Sequence, residues 1–293
     1  MGGTNVQTVG DLLRGWRLRR RMSQLDLASS AEISQRHLSF LESGRSMPSR
    51  EMILRLARHL EVPSRERNVL LTAGGFAPIY RERSLSDPAL APARAAVEVV
   101  LRGHEPFPAL AVDRHWSLVA ANAAVAELLV GVDPRLLEPP INVLRVSLHP
   151  DGMASRIDNL PEWREHVLSR LARQNAVSGD EVLEKLYHEL EAYPERLGRS
   201  KRSEHGRAFE DIAVPLRVTS ELGVLSFFST TTVFGTPVDV TLSELAIEAF
   251  LPADETTAEA LRTFARRRKD AGEAPNRARG ERCPRPRFRP SGA

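Results

Sequence analysis

Two hydrophobic periods divide this chain. Up to Gly75 the apolar residues recur at helical spacing. "VGDLLRGWRLRRR" places Val9, Leu12, Leu13, Trp16 and Leu18 near one stripe, and "REMILRLARHL" does the same with Met52, Ile53, Leu56, Ala57 and Leu60. Between them lie two shorter segments. Ser23 reads as the N-cap of "QLDLASSA", and Ser34 as the N-cap of "QRHLSFLE", which Gly44 ends. Pro48-Ser49 opens the fourth helix. Pro63-Ser64 opens the fifth, "RERNVLLTA", which Gly74-Gly75 closes. Five short helices joined by short loops predict a compact all-helical unit around one small core.

Proline-rich "APIYRERSLSDPALAP" then reads as a linker, and a helix is expected from Asp87-Pro88 to about Arg102. After "GHEPFP" the period changes. "ALAVDRHWSLVAAN" predicts two short strands around a turn at Asp113–His115, and "NAAVAELLVG" a helix. "PPINVLRVSLHPDGM" holds a short helix ending before Pro150. "LPEWREHVLSRLARQN" and "SGDEVLEKLYHELEAYPERL" read as amphipathic helices, the second capped by Ser178. The region from Phe209 to Pro237 is rich in Val, Phe and Thr and predicts two long strands, with "ELAIEAFLP" as the last strand. The tail from Arg266 has few apolar residues and many prolines, which predicts disorder. No internal repeat is visible.

Charge sharpens this division. Residues 1–74 carry 12 Lys/Arg against 7 Asp/Glu, the tail from Arg266 carries 10 against 3, and the middle carries 19 against 28. A basic head can attract a polyanion and an acidic body cannot, although a charge run is also what any solvated face shows. The single cysteine, Cys283, excludes an intrachain disulfide framework. The opening "MGGTNVQTVGDLLRGW" lacks an apolar signal core, and no apolar window is long enough to span a bilayer. These features predict a soluble, cytoplasmic protein with no membrane partner.

The candidate chemistry of the head lies in "QRHLSFLE". At about 100° per residue, Leu38 falls near 300° and Leu41 near 240° from Gln35, which makes that side the buried one. The opposite face carries Gln35, Arg36, Ser39 and Phe40, with His37 on the flank. Gln and Arg can bond bidentately to adenine and guanine edges, and an apolar side chain can touch a thymine methyl group. Gln24, at the start of the preceding helix, is placed to hold a phosphate, and Arg45 with arginines 17, 19, 20 and 21 to add backbone contacts.

Residues 10–60 resemble the Xre/lambda-repressor-like helix-turn-helix family. The resemblance rests on Ser23-Gln24 opening the second helix, Ala28 within it and Ser34 opening the recognition helix. Leu41-Glu42-Ser43-Gly44-Arg45 and Pro48-Ser49 close that helix, and Leu56-Ala57 lie in the fourth. It implies an operator-binding head over residues 1–76 that works on double-stranded DNA, commonly as a homodimer, with contacts from Gln24, Ser34, Gln35, Arg36, His37, Ser39, Phe40 and Arg45. Phe40 departs from the polar residue common at its position.

The acidic body shows no catalytic constellation. His104, His115, His149, His166, His188 and His205 are scattered, and none pairs with another at metal-ligand spacing. There is no G-x-S-x-G, P-loop or G-x-G-x-x-G, and the three lysines, Lys185, Lys201 and Lys269, lack the strand setting of a Ser/Lys dyad. Neither a catalytic residue, a metal nor a cofactor is expected. The order of short strands, helices and a long antiparallel strand pair resembles a PAS-like sensor.

Residues 104–251 also resemble the MmyB-like ligand-binding domain, on "PFPALAVDRHWSLVAANAAVAELL", "PPINVLRVSLHPDGM", "LPEWREHVLSRL" and "GVLSFFSTTTVFGTPVDVTLSELAIEAFLPAD". That resemblance implies a buried lipophilic ligand, a fatty acid above all. Leu144, Trp163, Leu168, Phe227, Phe228 and Val233 are candidate wall residues, with ordinary core the leading reading of any one of them. Asn142, Arg145, Arg156 and Arg164 are candidate donors to a carboxylate, set against a structural hydrogen bond or plain surface exposure as the leading reading of each. The expected organisation is an all-α helix-turn-helix head (1–76), a linker and connecting helix (77–103), an α+β PAS-like domain with an antiparallel sheet (104–265) and a basic tail (266–293). A DNA-anchored enzyme and a ligand-independent dimerising repressor remain the alternatives.

Overall fold

The structure, a computed structural model, describes residues 7–194, 214–235 and 239–273. The strand expected over Phe209–Ala213, the tail beyond Glu273 and the end of the "ERL" helix lie outside the described residues. The chain divides into two compact units, the first built on residues up to Glu82.

The N-terminal unit contains α1 (Val9–Arg19), α2 (Gln24–Ser30), α3 (Gln35–Glu42), α4 (Arg50–His59) and α5 (Ser64–Ala73). Four starts are capped by a hydroxyl. Thr8, Ser23, Ser34 and Ser49 accept from the backbone N–H groups of Asp11, Asp26, His37 and Met52. Asp11 and Asp26 close the first two caps reciprocally as capping boxes. The core is apolar and closed, with Leu13, Leu27, Leu38, Leu41, Ile53, Leu56, Leu60, Leu70 and Leu71 essentially inaccessible.

Leu18 departs from expectation: it is exposed, and Arg17 takes its place on the buried stripe. Positions 9, 13, 16 and 17 follow the i, i+4, i+7, i+8 pattern more closely than the stripe through Leu18. Gly10 lets α1 approach α3 closely, because a Cβ there would collide with the Leu41 carbonyl and lie 2.9 Å from that of Glu42.

The first part of the expected linker folds back on this unit. The buried Asn68 accepts from the N–H groups of Ile79 and Tyr80 at 3.1 Å each and donates to the Tyr80 carbonyl at 2.8 Å. The unit therefore runs past residue 76.

The C-terminal unit opens with a 3-10 turn at Pro88–Leu90 and α6 (Ala91–Gly103). Then come β1 (Ala109–Val112), β2 (Leu118–Ala121), α7 (Val125–Leu128), α8 (Val143–Leu148), α9 (Leu160–Ser178) and α10 (Glu181–Glu191). The chain closes with β3 (Leu216–Ser220), β4 (Gly223–Val233), α11 (Val240–Ser243), β5 (Ala246–Pro252) and α12 (Glu255–Glu273). The five strands form one antiparallel sheet in the order β2-β1-β5-β4-β3. This is the α+β PAS-like class.

Alternation along the strands sorts residues between two faces. Ala109, Ala111, Ile247 and Ala249 turn to one side, where Val97 and Leu101 of α6 pack on them; the small alanines leave room for that helix. Leu110 and Val112 turn to the larger core shared with α7–α10 and α12. Buried asparagines fasten the joints between elements. Asn122 bonds the Ala109 N–H and the carbonyls of Leu101 and Phe107. Asn159 likewise bonds the Arg217 N–H and the Pro215 carbonyl.

Several sequence expectations shift in detail. "NAAVAELLVG" yields only the single turn of α7. α9 runs through to Ser178, so that residue ends a helix, and its hydroxyl meets the Asp180 N–H at 3.4 Å. α12 carries helical structure across the expected boundary at Arg266, as far as Glu273. "HPDG" is a tight turn: the N–H of Gly152 donates to the His149 carbonyl at 2.9 Å, that of Met153 ties the turn back to the Val146 carbonyl, and Gly152 leaves no space for a Cβ against the latter.

Candidate nucleic-acid interface and ligand cavity

On α3 the buried side is Leu38 and Leu41, as the helical wheel requires. Gln35, Arg36 and His37 are exposed, Ser39 and Phe40 half-buried, and Ser34 caps the helix from its exposed end. Phe40 is not sealed against another helix. Two guanidinium groups approach its ring, Arg36 at 5.4 Å and Arg45 at 5.9 Å from the ring centre. The face combines an apolar plane with flanking cations and a nearby glutamine, a set able to bond base edges and phosphates.

The arginines of "RGWRLRRR" divide into different roles. Arg17 is buried and forked onto Glu42, with Nε donating to Oε1 at 2.6 Å and Nη2 to Oε2 at 2.8 Å. Its Nη1 donates to the Met22 carbonyl at 2.9 Å, and Gln24 adds a bond to Glu42 Oε2 at 2.9 Å. Burial pushes the Glu42 carboxyl up, but the hydrogen bonds and charge of Arg17 and the bond from Gln24 outweigh it and hold the group below its ordinary range. Arg20 donates to the carbonyls of Leu60 and Glu61 beyond the end of α4. Arg17 and Arg20 are thus occupied inside the unit, contrary to the expectation of backbone contacts. Gln24 Nε2 is also bonded to Glu42, and the capping box takes up the N–H groups of Ser23 and Asp26.

The second site is a cavity of about 90 Å³ between the sheet and its helices. Leu110, Trp116 and Leu118 come from the first two strands and the turn between them, and Val125, Leu128 and Leu129 from the region of α7. Val143, Leu144 and Val146 come from α8, Trp163 and Val167 from α9, Leu216 from β3 and Phe250 from β5. Among the described residues four polar side chains reach it: Ser147, His166, Arg170 and Glu248. Trp163 Nε1 donates to Ser147 Oγ at 2.9 Å, and His166 stacks on the Trp163 ring at 5.4 Å. Trp116 holds a left-handed backbone, φ 67°, unusual for a bulky residue and costing about 1–3 kcal/mol. The surrounding turn enforces it, since Asp113 Oδ1 accepts from the N–H groups of His115 and Ser117.

A model of the MmyB-like transcription regulator ligand binding domain matches residues 93–264, more than half of the chain, and a helix-turn-helix domain model matches residues 8–70. The chain belongs to the MmyB-like regulator family. Its two domains are those of a ligand-responsive transcription regulator. No curated protein matches it. A solved structure titled an RNA-binding Light-Oxygen-Voltage Receptor aligns at 12% identity with a TM-score of 0.24, over 90% of this chain and 65% of that one. The chain thus spans under two thirds of that receptor's length, and a likeness at that level carries no argument. No helix among the described residues is long and apolar enough to cross a membrane.

Within the MmyB-like domain the expected ligand residues separate. Leu144 and Trp163 line the cavity. Asn142 instead caps α8, accepting from the N–H groups of Leu144 and Arg145 and donating to the His115 carbonyl. Arg145 forks onto Glu189 at 2.7 Å, Arg156 donates to the Leu128 carbonyl, and Arg164 to the Glu191 carbonyl at 2.6 Å. None of these four lines the cavity. Leu168 packs beside the core and Phe227 is sealed within it, edge-on to Phe250. Phe228 and Val233 also lie outside the lining, Val233 well exposed.

The overlooked residues carried a signal. Trp163, Val167 and Arg170 stand at i, i+4 and i+7 on α9, whereas Arg164 and Leu168 are each one position off that stripe. Glu248 is a lone acid in the apolar strand "AIEAFLP", on the same alternation as Ala246 and Phe250.

Proposed function

We propose that this regulator binds an operator in double-stranded DNA through α3, as a homodimer over two half-sites, and that its cavity takes a small lipophilic molecule. A fatty acid, or an acyl compound related to one, is the ligand class. The observation that carries the reading is the apolar cavity, walled by leucines, valines and two tryptophans with polar groups confined to a few positions. Its volume is below the roughly 300–1,000 Å³ of drug-sized pockets and nearer the roughly 150 Å³ cavity that admits benzene. A short aliphatic chain or a ring suits it as it stands; a long chain must open it.

Binding switches DNA affinity only if the ligand favours one arrangement of the protein over another. At the DNA, Gln35 and Arg36 read base edges, with Phe40 as the apolar contact; Arg45 and His37 flank them, and Ser34 and Ser39 hold the helix end and its near face.

Two measurements test this. The full-length protein is titrated against genomic fragments and random DNA over a salt series, with Arg36→Ala alongside. Steep salt dependence is expected, and a loss of about 1–3 kcal/mol in operator discrimination for the variant. Equal affinity for operator and random DNA at physiological salt would sink the specific-binding reading. Solvent extraction of the purified protein followed by mass spectrometry is expected to recover an intact lipophile. A turned-over product would point to an enzyme instead.

A further inference from the structure

We propose that the cavity selects lipophiles whose polar end is uncharged, such as an alcohol, a primary amide or a protonated fatty acid, over the matching carboxylate. This rests on the reading of the cavity as a lipophile site and specifies the head group that site accepts. Among the described residues, Arg170 and Glu248 are the only arginine and the only acid in the cavity lining, and no lysine joins them. They already satisfy each other. Nη1 of Arg170 donates to Glu248 Oε2 at 3.0 Å and Nη2 to Oε1 at 2.6 Å. Thr231, directly across from Glu248 in the β4–β5 register, completes the arrangement. It accepts from Arg170 Nη2 at 2.8 Å and donates to Glu248 Oε1 at 3.0 Å. The guanidinium lies over the Trp116 ring at 4.6 Å, which fixes its plane.

The consequence is electrostatic. The Glu248 side chain is 5% exposed and that of Arg170 28%, and their formal charges cancel. A carboxylate entering the cavity must share Arg170 with a carboxylate already bonded to it, or displace Glu248 and leave that charge buried without its partner. A neutral hydroxyl or amide meets neither penalty and needs only hydrogen bonds. The family resemblance implied a fatty acid, and the cavity wall carries a built-in competitor for its carboxylate form.

The test compares octanoate, octanol and octanamide by calorimetric titration of the full-length protein at pH 8, above the ordinary histidine range. Wild type is expected to bind the alcohol and the amide at least ~10-fold more tightly than octanoate. Glu248→Gln keeps the shape and removes the competing charge, so it is expected to gain at least ~10-fold for octanoate. Its thermal melt reports whether it folds. If it does not, the wild-type ratio decides alone. Wild-type preference for octanoate, or a folded Glu248→Gln protein without that gain, would overturn the proposal while leaving a lipophile site in place. Failure of all three compounds to bind would overturn the lipophile reading together with it.

Discussion

Among the described residues, two Arg–Glu pairs hold a buried carboxylate, and they sit in different surroundings. Arg17–Glu42 lies in a closed helical core, with Gln24 and the Met22 carbonyl taking up further hydrogen-bonding capacity. Arg170–Glu248 is also forked, through Nη1 and Nη2 where Arg17 uses Nε and Nη2, but it stands on the wall of a cavity, over a tryptophan held in a left-handed backbone. The first pair joins α1 to α3 and fixes the helix proposed to face DNA. The second leaves a polar surface on the cavity wall, where the end of the proposed ligand would meet it. The same two residue types form a fastening in one place and, in the proposed reading, a selective element in the other, and the difference is what adjoins them.

Removing the arginine from each pair should separate the two roles most strongly. Arg17→Met leaves Glu42 buried against Gln24 alone, and a loss of about 3 kcal/mol is expected in urea unfolding of the full chain. Arg170→Met leaves Glu248 beside a cavity and a partly exposed neighbour, and the expected loss is smaller, about 1–2 kcal/mol. Equal losses would erase the distinction.

The pH dependence sharpens it. Folding depresses the Glu42 carboxyl, so its contribution is present above the ordinary glutamate range and lost as pH falls through the lower folded value. In Arg17→Met the unpartnered carboxyl should shift upward instead, so protonation favours the folded form. The gap between wild type and variant is therefore expected to narrow as pH drops below about 4.

Close packing gives the next effect. Gly10→Ala drives a methyl group into the backbone carbonyls at the end of α3, neither of which can move aside cheaply. A cost of about 1–3 kcal/mol is expected, with DNA affinity falling alongside stability because α3 is displaced. Unchanged thermal stability would contradict the close approach of α1 and α3.

The smallest effects compare two residues that resembled ligand contacts. Asn142→Ala removes the α8 cap and should cost about 1–2 kcal/mol. Arg145→Ala breaks a half-exposed ion pair and should cost under about 1 kcal/mol. If the cavity is bounded as described, Arg145→Ala leaves lipophile affinity unchanged; a tenfold loss would place Arg145 in the site after all.

The head was largely legible in the sequence because its signals are local. Ser23, Ser34 and Ser49 cap helices by bonds within three residues, and Leu38 and Leu41 follow from helical periodicity. Arg17 was misread because its meaning depends on Glu42, 25 residues away. The strand pairs around Asp113 and over Leu216–Val233 were also visible, since alternation and turn residues are local. The cavity was not. Its wall is assembled from seven elements, and exposure of neighbouring residues on α9 differs by single positions that a broad amphipathic stripe does not resolve. Asn142 and Arg145 looked like carboxylate donors by residue type alone, yet short bonds to α8 and to Glu189 had already claimed them.

If the cavity is the regulatory site, filling it alters DNA binding. The most direct measurement is the affinity of the full-length protein for an operator fragment at fixed salt, before and after solvent stripping of the bound lipophile and again after adding it back. A reversible change of at least ~5-fold is expected, the lower end of ordinary allosteric coupling. An affinity that stays the same through stripping and replenishment would contradict the account.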